Sequence, residues 1–180
     1  MTMTKFDEVE LSIVKCCNRL GKGVLEIPFR FISSIRFLAA FWFALAIIAI
    51  ASHPGISIQF FYAILLVTVM HFGITEGIFK HAAKKYFQKR KRPYLAYPKD
   101  IVAVGRKFSD GSFPSSHMAT TAAMFFVLVS FYPSMFIVAV IFSVIMAFSR
   151  IHNGMHYPID VIVGTILGML YGWVAILIVK

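Results

Sequence analysis

Five apolar segments, residues 31–51, 56–79, 117–132, 134–151 and 159–179, fill more than half of this 180-residue chain and leave it few ways to fold. A helix needs about 20 apolar residues to cross about 30 Å of hydrocarbon. The first, second and fifth segments reach that length. The third and fourth are short, and Tyr132-Pro133-Ser134 between them reads as a tight turn. They form a hairpin whose ends depend on neighbouring helices or a thinned bilayer. The chain is 59% hydrophobic and 14% charged, where soluble domains carry about 45–50% and about 25%. One small core cannot hide that excess, so a bilayer must take part of it. The pattern predicts an all-α, polytopic transmembrane helical bundle of about five spanning helices, forming one membrane-embedded domain over residues 28–180.

Residues 1–27 differ. Phe6, Val9, Ile13, Cys16, Cys17 and Leu20 recur at spacings of three and four, with Lys5, Asp7, Glu8, Lys15, Asn18 and Arg19 filling most of the rest. This is an amphipathic helix too polar to span. It lies either in the membrane interface or against the protein's own loops. Gly21, Gly23 and Pro28 punctuate its end. The two adjacent cysteines have no other cysteine to pair with, so no disulfide framework is expected. Charges scattered through residues 1–27 leave no apolar run suited to a cleavable signal peptide.

The net charge of +10 is unevenly placed: six Lys/Arg lie before residue 37, ten lie between Lys80 and Lys107, and Arg150 and Lys180 complete the eighteen. With five spans, parity puts the N-terminal segment, residues 80–111 and the surroundings of Arg150 on one face. Seventeen of the eighteen cations then share that face. They flank membrane segments instead of covering a soluble surface. That excludes nucleic acid as a partner and favours anionic lipid headgroups or phosphorylated substrates. No obligate protein partner is inferred.

Three polar clusters interrupt the apolar sequence on that face. In the first, Lys85 and Arg92 are seven residues apart, two helical turns, before Pro93 ends the helix. Taken alone, this is an ordinary basic collar. The second is Pro114-Ser115-Ser116-His117 at the opening of the third span. Unsatisfied N–H groups at such a helix start can seat an anion, and a serine there also serves as a simple cap. The third runs from Ser149-Arg150 through His156 to Asp160. Asp160 falls in the first turn of the last span and can reach back to the His156 imidazole, fixing its tautomer. A plain Arg150–Asp160 or His156–Asp160 pair locking two helices fits the same residues. His152 and His156 have metal-ligand spacing, but Gly154 and Pro158 break the helix that would align them. A Ser-His-Asp hydrolase built on Ser115 or Ser116 would leave Lys85, Arg92 and Arg150 without a role. Glu76 and Lys80 form an i,i+4 pair.

Together, in order and at these spacings, the clusters resemble the three signature motifs of the type 2 phosphatidic-acid phosphatase superfamily. Lys85…Arg92-Pro93 matches the first and Ser149-Arg150…His156…Asp160 the third. The second departs once, with Ser116 where the family usually has glycine. The resemblance covers about 75 residues and points to the small bacterial membrane members.

It implies a lipid phosphatase in which His156 attacks phosphorus to form a phosphohistidine, Asp160 orients it, and His117 protonates the leaving oxygen. Lys85, Arg92, Ser115, Arg150 and the amide of Ser116 would hold the phosphate, with no metal or other cofactor. Candidate substrates are phosphatidylglycerophosphate, undecaprenyl pyrophosphate, the 1-phosphate of lipid A and phosphatidic acid. A lipid-phosphate binder or flippase without catalysis is the alternative. The resemblance places the active face on the periplasmic side of the inner membrane, whereas loop charges place it in the cytoplasm.

Overall fold

The computed structural model describes residues 4–20, 22–52, 55, 57–82, 90–108 and 110–180. Lys85 and the basic run around it, together with His53, Pro54 and Ile56, lie outside the described residues. Among the described residues every regular element is helical: α1 (Lys5–Arg19), α2 (Glu26–Ile32), α3 (Ile35–Ser52) and α4 (Ser57–Met70), which continues as a π-helical segment (His71–Ala82). After a short α5 (Pro93–Ala96) come α6 (Ser116–Phe131), α7 (Phe136–His152) and α8 (Pro158–Val179).

Among the described residues three stretches are long and apolar enough to cross a membrane: Ile58–His81, Pro133–His152 and Pro158–Val179. Helices α2 and α3 make a fourth only if taken as one span bent by 55°. The third apolar segment becomes α6, whose 16 residues measure about 24 Å at 1.5 Å per residue. It falls short of a full crossing for that reason, and it compensates by burial. Met118, Ala119, Thr121, Ala122, Ala123, Phe125, Val127 and Leu128 all lie inside the bundle.

Helices α6 and α8 approach closely because both present small residues. Gly164 and Gly168 of α8 lie against the backbones of Ser115 and Ala119, and a Cβ on Gly164 would come within 2.5 Å of the Ser115 carbonyl. Such small-residue stripes let membrane helices pack backbone to backbone. Here the contact fixes where the second polar cluster sits. A membrane core surrounds the pair, with Trp42 edge-on to Phe125 at 4.8 Å and Phe41 stacked on Phe142 at 4.9 Å. The outward faces carry Phe43, Ile47, Phe61, Val69, Ile141, Val144, Ile166 and Leu177 in exposed positions, as a lipid-facing surface requires.

Helix α1 starts in a capping box, with the Asp7 amide donating to Thr4 Oγ1 and the Thr4 amide to Asp7. It docks with its polar side inward. Glu10, Val14 and Asn18 are buried, while Phe6, Val9, Ile13 and Leu20 face outward. Asn18 Nδ2 donates to the carbonyls of Val102 and His152, and its Oδ1 accepts from the Val102 amide. The helix therefore rests on the loops at one end of the bundle and presents its apolar stripe away from them. A second, smaller core of Val14, Tyr94, Ile101, Met155 and Tyr157 fills the space between.

Gly168→Val should separate α6 from α8 and cost about 1–3 kcal/mol of stability through overpacking. Thermal unfolding in detergent measures this, and Ile166→Val, on the exposed face of the same helix, should leave the transition within experimental scatter.

Candidate active site

The polar clusters meet at the end of the bundle where α1 docks. Helix α7 ends at His152, and the chain turns through Asn153 and Gly154, whose φ is +68°. It re-enters α8 at Pro158. Arg150 is thereby left in the last turn of one helix, His156 in the connecting loop and Asp160 in the first turn of the next. Asp160 Oδ2 accepts from the Tyr157 amide at 2.8 Å, satisfying one of the free N–H groups at the start of α8.

His156 is buried. Its Nδ1 lies 2.7 Å from the Ser112 carbonyl oxygen. A carbonyl only accepts, so Nδ1 carries the hydrogen and Nε2 holds the lone pair. An Arg92 Nη1 donates to that Nε2 at 3.3 Å. Burial, reinforced by the charges of Arg150 and Arg92, holds the imidazole well below its ordinary value of 6.5, so it is neutral at pH 7. The expected orienting partner differs. Asp160 Oδ2 stands 3.9 Å from Nδ1, too far for a hydrogen bond, because it is engaged by the Tyr157 amide. The Ser112 carbonyl takes its place.

Asp160 acts through other bonds. Its Oδ1 accepts from Arg90 at 2.8 Å, and its backbone carbonyl accepts from the Ser115 amide at 3.0 Å. Arg90 also pairs with Glu10, whose Oε1 accepts from the Ile159 amide at 2.8 Å. Neither Arg90 nor Glu10 stands out in the sequence. Arg90 sits in a basic run, and Glu10 lies on the polar side of an amphipathic helix. The sequence signal is Glu10, Val14 and Asn18 at i, i+4 and i+8, a face with a carboxylate and an amide at its two ends.

Arg92 is buried and donates to the Asp110 side chain at 2.9 Å and to the Met155 carbonyl at 3.3 Å. Burial alone would raise the Asp110 carboxyl, but Arg92 and Lys80 outweigh it and hold it below the usual range. Lys80 bridges Asp110 at 3.3 Å and Glu76 at 3.2 Å, so the i,i+4 pair read from the sequence is present. Ser116 turns its hydroxyl toward this group and donates to Glu76 Oε1. The residue standing where the family pattern has glycine therefore ties α6 to the π-helical segment. His117 Nε2 donates to the Ser33 carbonyl at 3.0 Å, which leaves Nδ1 for proton transfer. His152 lies apart from His156, with Nε2 donating to the Leu20 carbonyl.

Among the described residues, two buried polar atoms at the site, Ser115 Oγ and Arg150 Nε, have no hydrogen-bond partner. An unsatisfied buried donor costs about 1–3 kcal/mol. One lies in the second cluster and one in the third. The arrangement offers a neutral imidazole whose Nε2 lone pair faces a guanidinium, further buried guanidinium groups and a second histidine. It suits nucleophilic attack on a phosphate.

The PAP2 superfamily model matches residues 61–180. A curated relative, the undecaprenyl-diphosphatase of Sulfolobus acidocaldarius, is 33% identical over 99 residues, covering 53% of this chain and 45% of the relative. The chain thus aligns with about half the length of that protein. Among solved structures, Aquifex aeolicus LpxE superposes with a TM-score of 0.67 at 21% identity, covering 97% of this chain and 98% of that one. A transmembrane PAP2-type phosphatidylglycerolphosphate phosphatase from Bacillus subtilis gives 0.67 at 24%, covering 96% and 85%. These two likenesses establish a shared fold.

Glu10→Ala should cost about 1–3 kcal/mol by leaving the Ile159 amide and Arg90 short of a partner, whereas Glu8→Ala, on the exposed side of α1, should not. Thermal unfolding of the two variants side by side measures the difference.

Proposed function

The chain belongs to the PAP2 superfamily, and from that premise we propose that it is an integral-membrane lipid phosphatase working through a phosphohistidine. The observation that carries this reading is the neutral His156. Its Nδ1–H is held by a carbonyl and its Nε2 faces the buried Arg92. In the proposed reaction Nε2 attacks phosphorus, the bond from phosphorus to the lipid oxygen breaks, and His117, protonated at Nδ1 as well when the anionic substrate is bound, passes that second proton to the oxygen. Water then attacks the phosphohistidine, His117 takes back a proton, and phosphate leaves. Arg92, Arg150, Ser115, the Ser116 amide and Lys85 serve the phosphate oxygens as charge spreads in the transition state. Protein cations supply the neutralisation, and no metal is assigned a step. Asp160 works as a positioning residue that holds Arg90, the Tyr157 amide and the Ser115 amide in place.

The substrate is a phosphomonoester or diphosphate of a membrane lipid: phosphatidylglycerophosphate, undecaprenyl pyrophosphate, lipid A 1-phosphate or phosphatidic acid. The outward apolar stripe of α1 supports placing residues 1–27 in the membrane interface as a layer beside the phosphatase domain of residues 28–180. Five crossings, with α6 as the short one, put the site on the face that also carries the N-terminus. We assign that face to the periplasmic side of the inner membrane; labelling of a cysteine introduced at Lys99 in intact cells tests the assignment.

Phosphate release from the four lipid classes tests the function. Purified protein should release phosphate from at least one, and His156→Ala should lower turnover by roughly a thousandfold or more, as loss of a covalent nucleophile does. Release that survives His156→Ala, or no release from any class, sinks the proposal and favours a binder or flippase.

A further inference from the structure

Next to the catalytic cluster lies a cavity of about 450 Å³, most of whose wall comes from outside the family motifs. Its wall includes Arg30, Arg36, Arg106 and Arg150, and among the described residues no carboxylate lines it. Arg150 is almost fully buried, and among the described residues its Nε has no hydrogen-bond partner. The other three guanidinium groups come from different parts of the chain. Arg30 lies near the end of α2 and Arg36 in the first turn of α3, on either side of the 55° bend. Arg106 follows Gly105, whose φ of +92° turns the loop toward Arg30. The Arg30 Cγ lies 3.6 Å from where a Gly105 Cβ would be. Phe108 fixes Arg106 in place: the Arg106 guanidinium stands 5.6 Å from its ring centre and that of Arg92 5.0 Å from it. The catalytic cation and the cavity cation thus share one aromatic ring.

The cavity shares wall residues with the reaction centre, Arg150 among them. Met155, which lines it, accepts from Arg92 through its carbonyl. Ser33, also in its wall, accepts from His117, the residue placed to protonate the leaving oxygen. His117 thus stands against the wall of a space that four guanidinium groups line. Like charges around one cavity repel each other, and a bound anion relieves this. A leaving group that is a neutral alcohol makes no use of three extra guanidinium groups. A phosphate matches their forked donors.

We propose that Arg30, Arg36 and Arg106 form a second phosphate subsite, so that the preferred substrate carries a further phosphate beside the one removed. This rests on the lipid-phosphatase reading and narrows it. The second phosphate is either the inner one of a lipid diphosphate or the phosphodiester of a lipid ending in a glycerophosphate. Phosphatidic acid, with one phosphate, lacks the group.

The test measures kcat/KM for a prenyl diphosphate, phosphatidylglycerophosphate and phosphatidic acid in zwitterionic nanodiscs, using wild type and Arg36→Ala/Arg106→Ala. Both arginines are exposed, so the fold tolerates their loss. For at least one two-phosphate substrate, its kcat/KM relative to phosphatidic acid should fall roughly tenfold or more in the variant. Which substrate shows the fall identifies the source of the second phosphate. An equal loss on all three substrates, or no loss, overturns the subsite and makes the arginines a general basic collar. If wild type hydrolyses none of them, nor lipid A 1-phosphate, the phosphatase reading fails, and binding decides the subsite. Calorimetry should then show inorganic pyrophosphate binding more tightly than orthophosphate, with that preference reduced in the double variant; equal affinities overturn it.

Discussion

Asp160 is the point on which the active end of the molecule depends. It is fully buried, and each of its acceptors joins a different part of the chain. One carboxylate oxygen holds the Tyr157 amide beside His156, the other holds Arg90, and the backbone carbonyl holds the Ser115 amide. Through Arg90 the network reaches Glu10 on α1, and Glu10 returns to the Ile159 amide at the start of α8. A carboxylate in such a place is tolerated only when paired and hydrogen-bonded. The same bonds that offset its burial assemble the site.

A second group of charges, Glu76, Lys80, Asp110 and Arg92, runs along the other flank. It links the π-helical end of the long span to the guanidinium that touches His156. π-Helical turns often occur at functional sites, where they change the direction of side chains. Here Glu76 faces Ser116 and Lys80 faces Asp110. Below both groups the glycine stripe of α8 brings α6 close enough for the Ser115 backbone to meet the network. Packing in the apolar layer thus determines the geometry of the polar one.

Much of this was legible in the sequence. The apolar segments foretold a helical membrane bundle, and the spacing of Arg92, Ser115, His117, Arg150, His156 and Asp160 pointed to one site. What escaped has a common physical cause: it depends on contacts between residues far apart in the chain. Glu10 and Arg90 are separated by 80 positions, and Ser112 and His156 by 44. No local pattern distinguishes Arg90 from its basic neighbours. Nor does spacing reveal that the Ser112 carbonyl holds the His156 ring while Asp160 caps the helix. The inward polar face of α1 was hidden by its more conspicuous apolar stripe.

The central claim is that His156 Nε2, held neutral with its other nitrogen bonded to Ser112, is the nucleophile. Mass spectrometry of protein quenched in alkali during turnover of a lipid phosphate tests it most directly. The account predicts a phosphoryl group on the peptide containing His156, lost on return to neutral water with release of phosphate. Steady turnover with His156 unmodified, or with the phosphoryl group on Ser115, would contradict it.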